Sequence, residues 1–295
     1  MRVRIQDLEI PYPLTTISGR LRLCGLSELA TAQILSGLGD THPAAEEKLL
    51  TYVSDTLGSI SSEISKNFRL LNIYEELRGT SDKIPPLILA LEGASATGKS
   101  MLAIDFVHYL SSTRFISTDT VRQVLRGIYS KDEYPELYCH TYQAHTRRQS
   151  GDPKLDPVLR GYIAQCEVIS PSVFEMVKNI HSEGASAIIE GVHLEPGSIG
   201  HISKGILEIL INPSEDTHRS MFITKHAAGK LRTVSKDSTT REEEFLSTRK
   251  IQEYLVAKAK EAEIAIVDLH NFDTARKEIS NLIITKIETI ILEHT

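Results

Sequence analysis

The residues whose types and spacing could do chemistry first appear at positions 93–100, where the sequence reads GASATGKS. This GxxxxGKS pattern follows a short apolar run and precedes a stretch with helical periodicity, which is the setting of a phosphate-binding P-loop. The glycines let backbone N–H groups turn toward phosphate oxygens, and the following helix N-terminus adds partial positive charge. The predicted nucleotide-binding residues are Gly93, Ala94, Ser95, Ala96, Thr97, Gly98, Lys99, Ser100 and Met101.

Two side chains of this motif have specific roles in a P-loop. Lys99 is expected to reach the β- and γ-phosphates, and Ser100 offers its hydroxyl to Mg²⁺. The loop alone therefore predicts that a nucleoside triphosphate binds with Mg²⁺.

Carboxylates and a histidine follow later predicted strands, at the edge of a parallel sheet where ligands bind. Asp119 could orient an acceptor hydroxyl or hold a magnesium-bound water, or it could only cap the helix that it opens. Glu190 ends an apolar strand, and a carboxylate that enters a buried cleft needs a partner such as a magnesium-bound water. His193 could contact substrate or phosphate, although a single histidine is more often structural. We predict metal binding by Ser100 and Glu190.

Basic residues supply the remaining candidates. Arg122 and Arg126 lie four residues apart, so on a helix they could clamp a carboxylate or phosphate, or simply face solvent. Residues 219–241 form a basic, polar stretch that could close as a lid or be an ordinary solvated loop. An arginine supplied to the transition state raises phosphoryl-transfer rates by about 10³–10⁵. The candidate lid residues are Arg219, Lys225, Arg232 and Arg241.

Strand and helix patterns alternate from residue 87 onward, with strands predicted at 87–92, 114–118, 187–190, 207–211 and 264–268. This alternation predicts an α/β fold with a doubly wound, parallel, five-stranded sheet. A helix over 158–182 is expected to break at Pro171, and the aromatic segment 134–145 could form the substrate-side wall. Residues 1–80 are predicted to form a small, mostly helical region, separated from a P-loop domain at 87–295.

The whole-chain properties narrow the function classes. A net charge of −6 over 295 residues lowers the expectation of nucleic-acid binding. The three cysteines are widely spaced, which fits a reducing compartment. No apolar run approaches about 18 residues, so a cytoplasmic protein without a membrane segment is expected.

Five motifs follow one another along the chain: STDxxRxxxR at 117–126, YQA at 142–144, IIEGVHL at 188–194, PG at 196–197 and RKIQEYL at 249–255. Together with the P-loop they resemble the archaeal 2-phosphoglycerate kinases over residues 87–273. The resemblance implies a P-loop kinase that phosphorylates a small anionic hydroxy acid with ATP. It would make Lys99, Asp119 and Arg122 catalytic, and Asp119, Arg122, Arg126, Glu190 and His193 substrate-binding.

The N-terminal region matches this family less well. The family usually begins with an ATP-cone-like module, whereas residues 11–19 here lack the basic residue of its signature, so residues 1–80 resemble a degenerate cone. This divergence favours the branch that phosphorylates the 5-hydroxyl of mevalonate 3-phosphate, in isoprenoid precursor synthesis. The alternative substrate is 2-phosphoglycerate, which would give 2,3-bisphosphoglycerate. An ATP-gated regulatory protein is the alternative of another class, and a nucleic-acid end kinase is a weaker one.

Overall fold

The computed structural model describes residues 2–5, 8–38, 44–228 and 237–294. Arg232 of the predicted lid lies outside these ranges. Within them, no helix is long and apolar enough to cross a membrane.

The described part of the N-terminal region contains a small three-stranded sheet and four helices. Its strands are β1 (Arg2–Ile5), β2 (Leu8–Pro11) and β3 (Ala44–Ala45), in the order β2-β1-β3. Its helices are α1 (Leu14–Leu23), α2 (Glu28–Gly37), α3 (Glu46–Ile60) and α4 (Ser62–Thr80).

The rest of the described chain alternates strands and helices, as the sequence predicts. The strands are β4 (Ile88–Glu92), β5 (Arg114–Ser117), β6 (Ala187–Gly191), β7 (Ile206–Asn212) and β8 (Ala265–Asp268). The helices are α5 (Lys99–Tyr109), α6 (Thr118–Arg126), α7 (Pro157–Ser182), α8 (Glu215–Ala228), α9 (Ser238–Glu261) and α10 (Phe272–His294). Short 3₁₀ helices cover Pro135–Tyr138, Thr141–Thr146 and Gly200–Ile202.

The five strands β4–β8 form one parallel sheet in the order β5-β6-β4-β7-β8, which confirms the predicted fold class. All five residues of β4 are buried, because this strand lies at the centre and is covered on both faces. In the register, Glu190 of β6 lies opposite Leu91 of β4 and Ser117 of β5. The P-loop, Glu190 and the start of α6 therefore meet at the carboxyl edge of the sheet.

Alternate side chains of β4 enter separate apolar clusters. Leu89 and Leu91 join a cluster with α5 and α10, whereas Ile88 and Ala90 join one with α6 and α7. A third cluster, built around Phe222 of α8 and Phe245 of α9, lies near the carboxyl edge of the sheet. Helices thus cover both faces, and α8 and α9 are held beside the P-loop.

The N-terminal helices share an apolar core with the sheet. Phe68 of α4 is fully buried in the same cluster as Phe106 of α5 and Ile287 of α10. Helix α1 approaches α5 closely at Gly19, where an added Cβ would lie 2.2 Å from the carbonyl oxygen of His108. The two regions are therefore in intimate contact, and the division at residues 80–87 stays a prediction.

The predicted break at Pro171 is wrong, because α7 continues through it from Pro157 to Ser182. Proline removes one helical hydrogen bond and normally kinks or ends a helix. Ile169 and Val173, on either side, are fully buried in the core against the sheet. We attribute the continuation of the helix to this packing.

Candidate active site

A cleft of about 810 Å³ opens at the carboxyl edge of the sheet, beside the P-loop. Its walls come from the P-loop, from α6, from the 3₁₀ segment at 141–146 and from α8. The lining residues are Ser95, Ala96, Gly98, Lys99, Ser100, Met101, Asp119, Thr120, Arg122, Gln123, His140, Thr141, Tyr142, Val192, Met221, Thr224 and Lys225.

Glu190 meets both functional side chains of the P-loop. Ser100 Oγ donates a hydrogen bond of 3.0 Å to Glu190 Oε2, and Lys99 Nζ lies 3.8 Å from the same oxygen. Lys99 Nζ also donates to the carbonyl oxygen of Ala94 at 3.2 Å. Glu190 itself is 5% exposed, so its negative charge is enclosed beside a cation and a hydroxyl. The structure therefore brings these three predicted residues together.

The donor set at Glu190 fits a magnesium ion that also binds nucleotide phosphates. Ser100 Oγ and the Glu190 carboxylate are hard oxygen ligands, which Mg²⁺ prefers. Among the residues that the structure describes, no group of three or more His, Cys, Asp or Glu side chains could hold a metal. Mg²⁺ usually takes one or two protein carboxylates and completes its shell with water and phosphate. Ser100 and Glu190 suit that arrangement.

Asp119 and Arg122 form an ion pair in the cleft. Asp119 Oδ1 lies 3.1 Å from Arg122 Nη2, and Arg122 Nη1 donates to the carbonyl oxygen of Cys139. The Asp119 side chain is 65% exposed and the Arg122 side chain 7% exposed. Surrounding protein atoms disfavour the charged carboxylate, but Arg122, with Lys99 and Lys225, lowers the pKa of Asp119 below its usual value. Asp119 is therefore ionised at neutral pH and faces the cleft.

Arg126 does not join Arg122 at the cleft. Its Nε donates to the carbonyl oxygen of Leu137 at 2.5 Å, and its guanidinium lies 5.4 Å from the centre of the Tyr138 ring. Its Nη1 also donates to Gln123 Oε1 at 3.1 Å. These contacts hold the 3₁₀ segment 135–138 against α6. The predicted two-arginine clamp has no counterpart in this geometry.

His193 lies beneath the cleft and does not line it. The side chain is fully buried, with Nε2 2.8 Å from Gln165 Oε1 and Nδ1 3.0 Å from Thr118 Oγ1. Burial lowers the pKa of His193 to about 3, so the ring is neutral at ordinary pH. The ring is hydrogen-bonded to Thr118, the residue before Asp119. Because His193 does not line the cleft, the structure does not support the predicted contact between His193 and the substrate.

Gly191, the last residue of β6, also lies against Thr118. Gly191 has φ +157°, and an added Cβ would lie 1.8 Å from Thr118 Oγ1. The end of β6 and the start of α6 can approach this closely only because residue 191 has no side chain.

The three described cations of the predicted lid lie in different places. Arg219 is on the surface and pairs with Glu242 at 2.6 Å. Arg241 is buried, with Nη1 2.8 Å from Glu244 Oε2, and its guanidinium lies 3.9 Å from the centre of the Phe222 ring. Lys225 lines the cleft, and its Nζ donates to Ser95 Oγ at 2.9 Å. Among these three, Lys225 is the cation that reaches the P-loop.

Two residues at the P-loop were missed by the sequence reasoning. His218 Nε2 donates to the carbonyl oxygen of Ser95 at 2.8 Å, and Gln252 Oε1 accepts from the Ala94 N–H at 2.9 Å. Gln252 lies within the RKIQEYL motif at 249–255, which was the available signal, but spacing alone assigns it no role. In the aromatic segment, His140 and Tyr142 line the cleft, and the centroids of their stacked rings lie 5.1 Å apart. That this segment forms the substrate-side wall stays a prediction.

In sequence, this chain is similar to proteins named 2-phosphoglycerate kinase. It is 26% identical over 296 residues to the 2-phosphoglycerate kinase of Methanopyrus kandleri, covering 97% of this chain and 88% of that protein. It is 31% identical over 184 residues to the 2-phosphoglycerate kinase of Methanothermobacter thermautotrophicus, covering 61% of this chain and 58% of that protein. No family model matches the chain.

Among solved structures, shikimate kinase from Acinetobacter baumannii in complex with shikimate overlaps 72% of this chain and 97% of its own. The TM-score is 0.42 at 10% sequence identity, so the fold assignment rests on the strand order described above. The sequence matches show that the chain is similar to the archaeal 2-phosphoglycerate kinases.

Proposed function

We propose that this protein is an ATP-dependent kinase that phosphorylates the free hydroxyl of a small phosphorylated hydroxy acid. The observation that carries the proposal is the position of Glu190. This buried carboxylate contacts Ser100 and Lys99 of the P-loop, while the Asp119–Arg122 pair lines the same cleft. A donor site and an acceptor site thus lie side by side.

The donor half consists of the P-loop, Lys99, Ser100 and Glu190. The backbone N–H groups and Lys99 would hold the phosphates of ATP. Ser100 and Glu190 would hold Mg²⁺, which would supply neutralisation of the charge on the transferring group. Lys225 reaches the loop from α8 and adds positive charge at the same place.

The acceptor half consists of Asp119 and Arg122. Phosphoryl transfer depends mainly on positioning and on electrostatic stabilisation. Asp119 accepts a hydrogen bond from the acceptor hydroxyl and takes its proton as the new oxygen–phosphorus bond forms. The bond from the γ-phosphorus to the β–γ bridging oxygen breaks at the same time, and ADP leaves. Arg122, which lines the same cleft, would bind an anionic group of the acceptor.

For the acceptor itself, 2-phosphoglycerate is the better supported choice, with 2,3-bisphosphoglycerate as product. Both relatives described above carry the name 2-phosphoglycerate kinase, one of them across 88% of its length. The sequence-based preference for mevalonate 3-phosphate rested on the divergent N-terminal region. No similarity found here supports it, and we do not propose it as the substrate.

A direct assay tests this function. ADP release is measured with MgATP and each of 2-phosphoglycerate, 3-phosphoglycerate and mevalonate 3-phosphate, and the product is identified by mass. We expect turnover with 2-phosphoglycerate, at least tenfold above the other two. Preferential turnover of mevalonate 3-phosphate would overturn the substrate assignment. Nucleotide binding without turnover of any acid would instead support an ATP-gated regulatory protein.

A further inference from the structure

The first two residues after Gly93 in the P-loop are held by side chains from α8 and α9. The Ala94 N–H donates to Gln252 Oε1 at 2.9 Å. The Ser95 carbonyl oxygen accepts from His218 Nε2 at 2.8 Å, and Ser95 Oγ accepts from Lys225 Nζ at 2.9 Å. The loop is therefore fixed from outside itself, by helices that follow it by more than a hundred residues.

Gln252 has the most constrained position of these three side chains. It is fully buried, and its Nε2 donates to the carbonyl oxygen of Ile211 at 3.0 Å and to Asn212 Oδ1 at 3.2 Å. An amide has donors on one end and an acceptor on the other. Reversing it would place its NH₂ group against the Ala94 N–H and its oxygen against two other oxygens. The three partners therefore fix one orientation.

This arrangement connects three elements at one point. Ala94 belongs to the P-loop, Ile211 and Asn212 end strand β7, and Gln252 lies in the middle of α9. Ala94 is fully buried, and a Cβ added at Gly93 would lie 3.5 Å from Gln252 Oε1, so little space surrounds the contact. Gln252 does not line the cleft, and any effect on the reaction must pass through the loop.

We infer that Gln252 is a positioning residue that holds the peptide at Ala94 so that the P-loop can receive nucleotide phosphates. The inference rests on the nucleotide site of the proposed function. Without Gln252, the buried Ala94 N–H loses its acceptor, and an unpaired buried donor is unfavourable enough to drive rotation toward another partner. Rotation at Ala94 would displace the N–H groups that follow it in the loop.

The test compares two substitutions on the same helix. Gln252→Met keeps a side chain of similar length and removes all three hydrogen bonds. Thr248→Val is the matched control, because Thr248 is buried on α9 and its hydroxyl donates within the helix, to the Glu244 carbonyl oxygen at 2.8 Å. MgADP affinity is measured by titration calorimetry without acceptor, and thermal unfolding is followed without nucleotide.

We expect the Kd for MgADP to rise about tenfold or more in Gln252→Met, and to change less than twofold in Thr248→Val. Wild-type affinity in Gln252→Met would overturn the inference, as would an equal loss in both variants or a wild type that does not bind nucleotide. Failure of the proposed function is seen separately. In that case wild type binds MgADP but does not phosphorylate 2-phosphoglycerate, and the two variants still differ in affinity.

Discussion

At the scale of single residues, Asp119 is the side chain on which the proposed chemistry depends most. Asp119→Asn keeps the shape but removes the negative charge that orients the hydroxyl and accepts its proton. We expect kcat to fall by about 10²–10⁴, the usual range for losing a general base, with MgATP affinity within about twofold of wild type.

Steady-state kinetics with both substrates, combined with nucleotide titration, check this prediction. Asp105→Asn is the control, since Asp105 lies on α5 and pairs with Arg276 outside the cleft. A nearly unchanged kcat in Asp119→Asn would mean that Asp119 only stabilises the first turn of α6 through its negative charge.

Glu190 leads to a prediction about magnesium. Glu190→Gln removes the charge that would hold Mg²⁺ beside Ser100, while the amide oxygen can still accept from the hydroxyl. The Mg²⁺ concentration that gives half-maximal rate should rise about tenfold, as expected for the loss of a charged metal partner. Titration of activity with Mg²⁺ at fixed ATP measures this shift. Glu183→Gln, at an exposed pair with Arg114, should leave the titration as in wild type.

The histidine at the P-loop gives a pH dependence of stability. Burial lowers the pKa of His218 to about 4, against 6.5 in the unfolded chain. Between these values the unfolded state binds more protons than the folded state. The contribution of neutral His218 is therefore complete above pH 6.5 and is lost as the pH falls toward 4. The expected slope is at most about 1.4 kcal/mol per pH unit.

Denaturant unfolding between pH 4.5 and 7.5 measures that slope. His218→Gln can still donate to the Ser95 carbonyl oxygen but cannot titrate, so its stability should fall less steeply with decreasing pH. His108→Gln, at an exposed position on α5, is the comparison for removal of any histidine. Equal slopes in wild type and His218→Gln would contradict the assignment.

At the scale of elements, the sequence predicted the sheet well because its central strands β4, β6 and β7 are short, mostly apolar runs. Such runs mark strands buried on both faces, and residues that follow them must lie at one edge of the sheet. That reasoning was enough to bring Glu190 and Asp119 near the P-loop. The spacing of residues in the sequence does not show which face of a helix remains accessible to the cleft. Arg126 shares a helix face with Arg122, but the returning segment at 135–138 covers it.

Burial by residues distant in sequence explains the other differences between prediction and structure. His193 and Arg241 are polar residues in regions expected to face ligand, yet both are enclosed by partners distant in sequence, Gln165 for one and Phe222 for the other. Gln252 lies 158 residues from Ala94. Contacts of this kind depend on how helices pack against the sheet, and no local pattern encodes them.

The junction of β6 and α6 gives a prediction at this scale. In Gly191→Ala, the new Cβ would overlap Thr118 Oγ1 and would force the start of α6 away from the sheet. We expect a loss of about 1–3 kcal/mol in unfolding free energy, and a fall in kcat because Asp119 moves with the helix. Gly79→Ala is the control, since an added Cβ there meets nothing within 4 Å. Wild-type kcat in Gly191→Ala would show that Asp119 tolerates this displacement.

At the scale of the whole molecule, the N-terminal helices and the sheet share one apolar cluster and should unfold together. Phe68 of α4 is fully buried in that cluster. Phe68→Ala leaves a cavity that is expected to cost about 3–5 kcal/mol. If the core is shared, the substitution lowers the midpoint of one unfolding transition. Far-ultraviolet circular dichroism and loss of MgADP binding should then report the same midpoint. Leu246→Ala, at an exposed position on α9, should leave the transition nearly unchanged. Two separate transitions, with the MgADP-binding one unaffected by Phe68→Ala, would show instead that residues 1–80 fold as an independent domain.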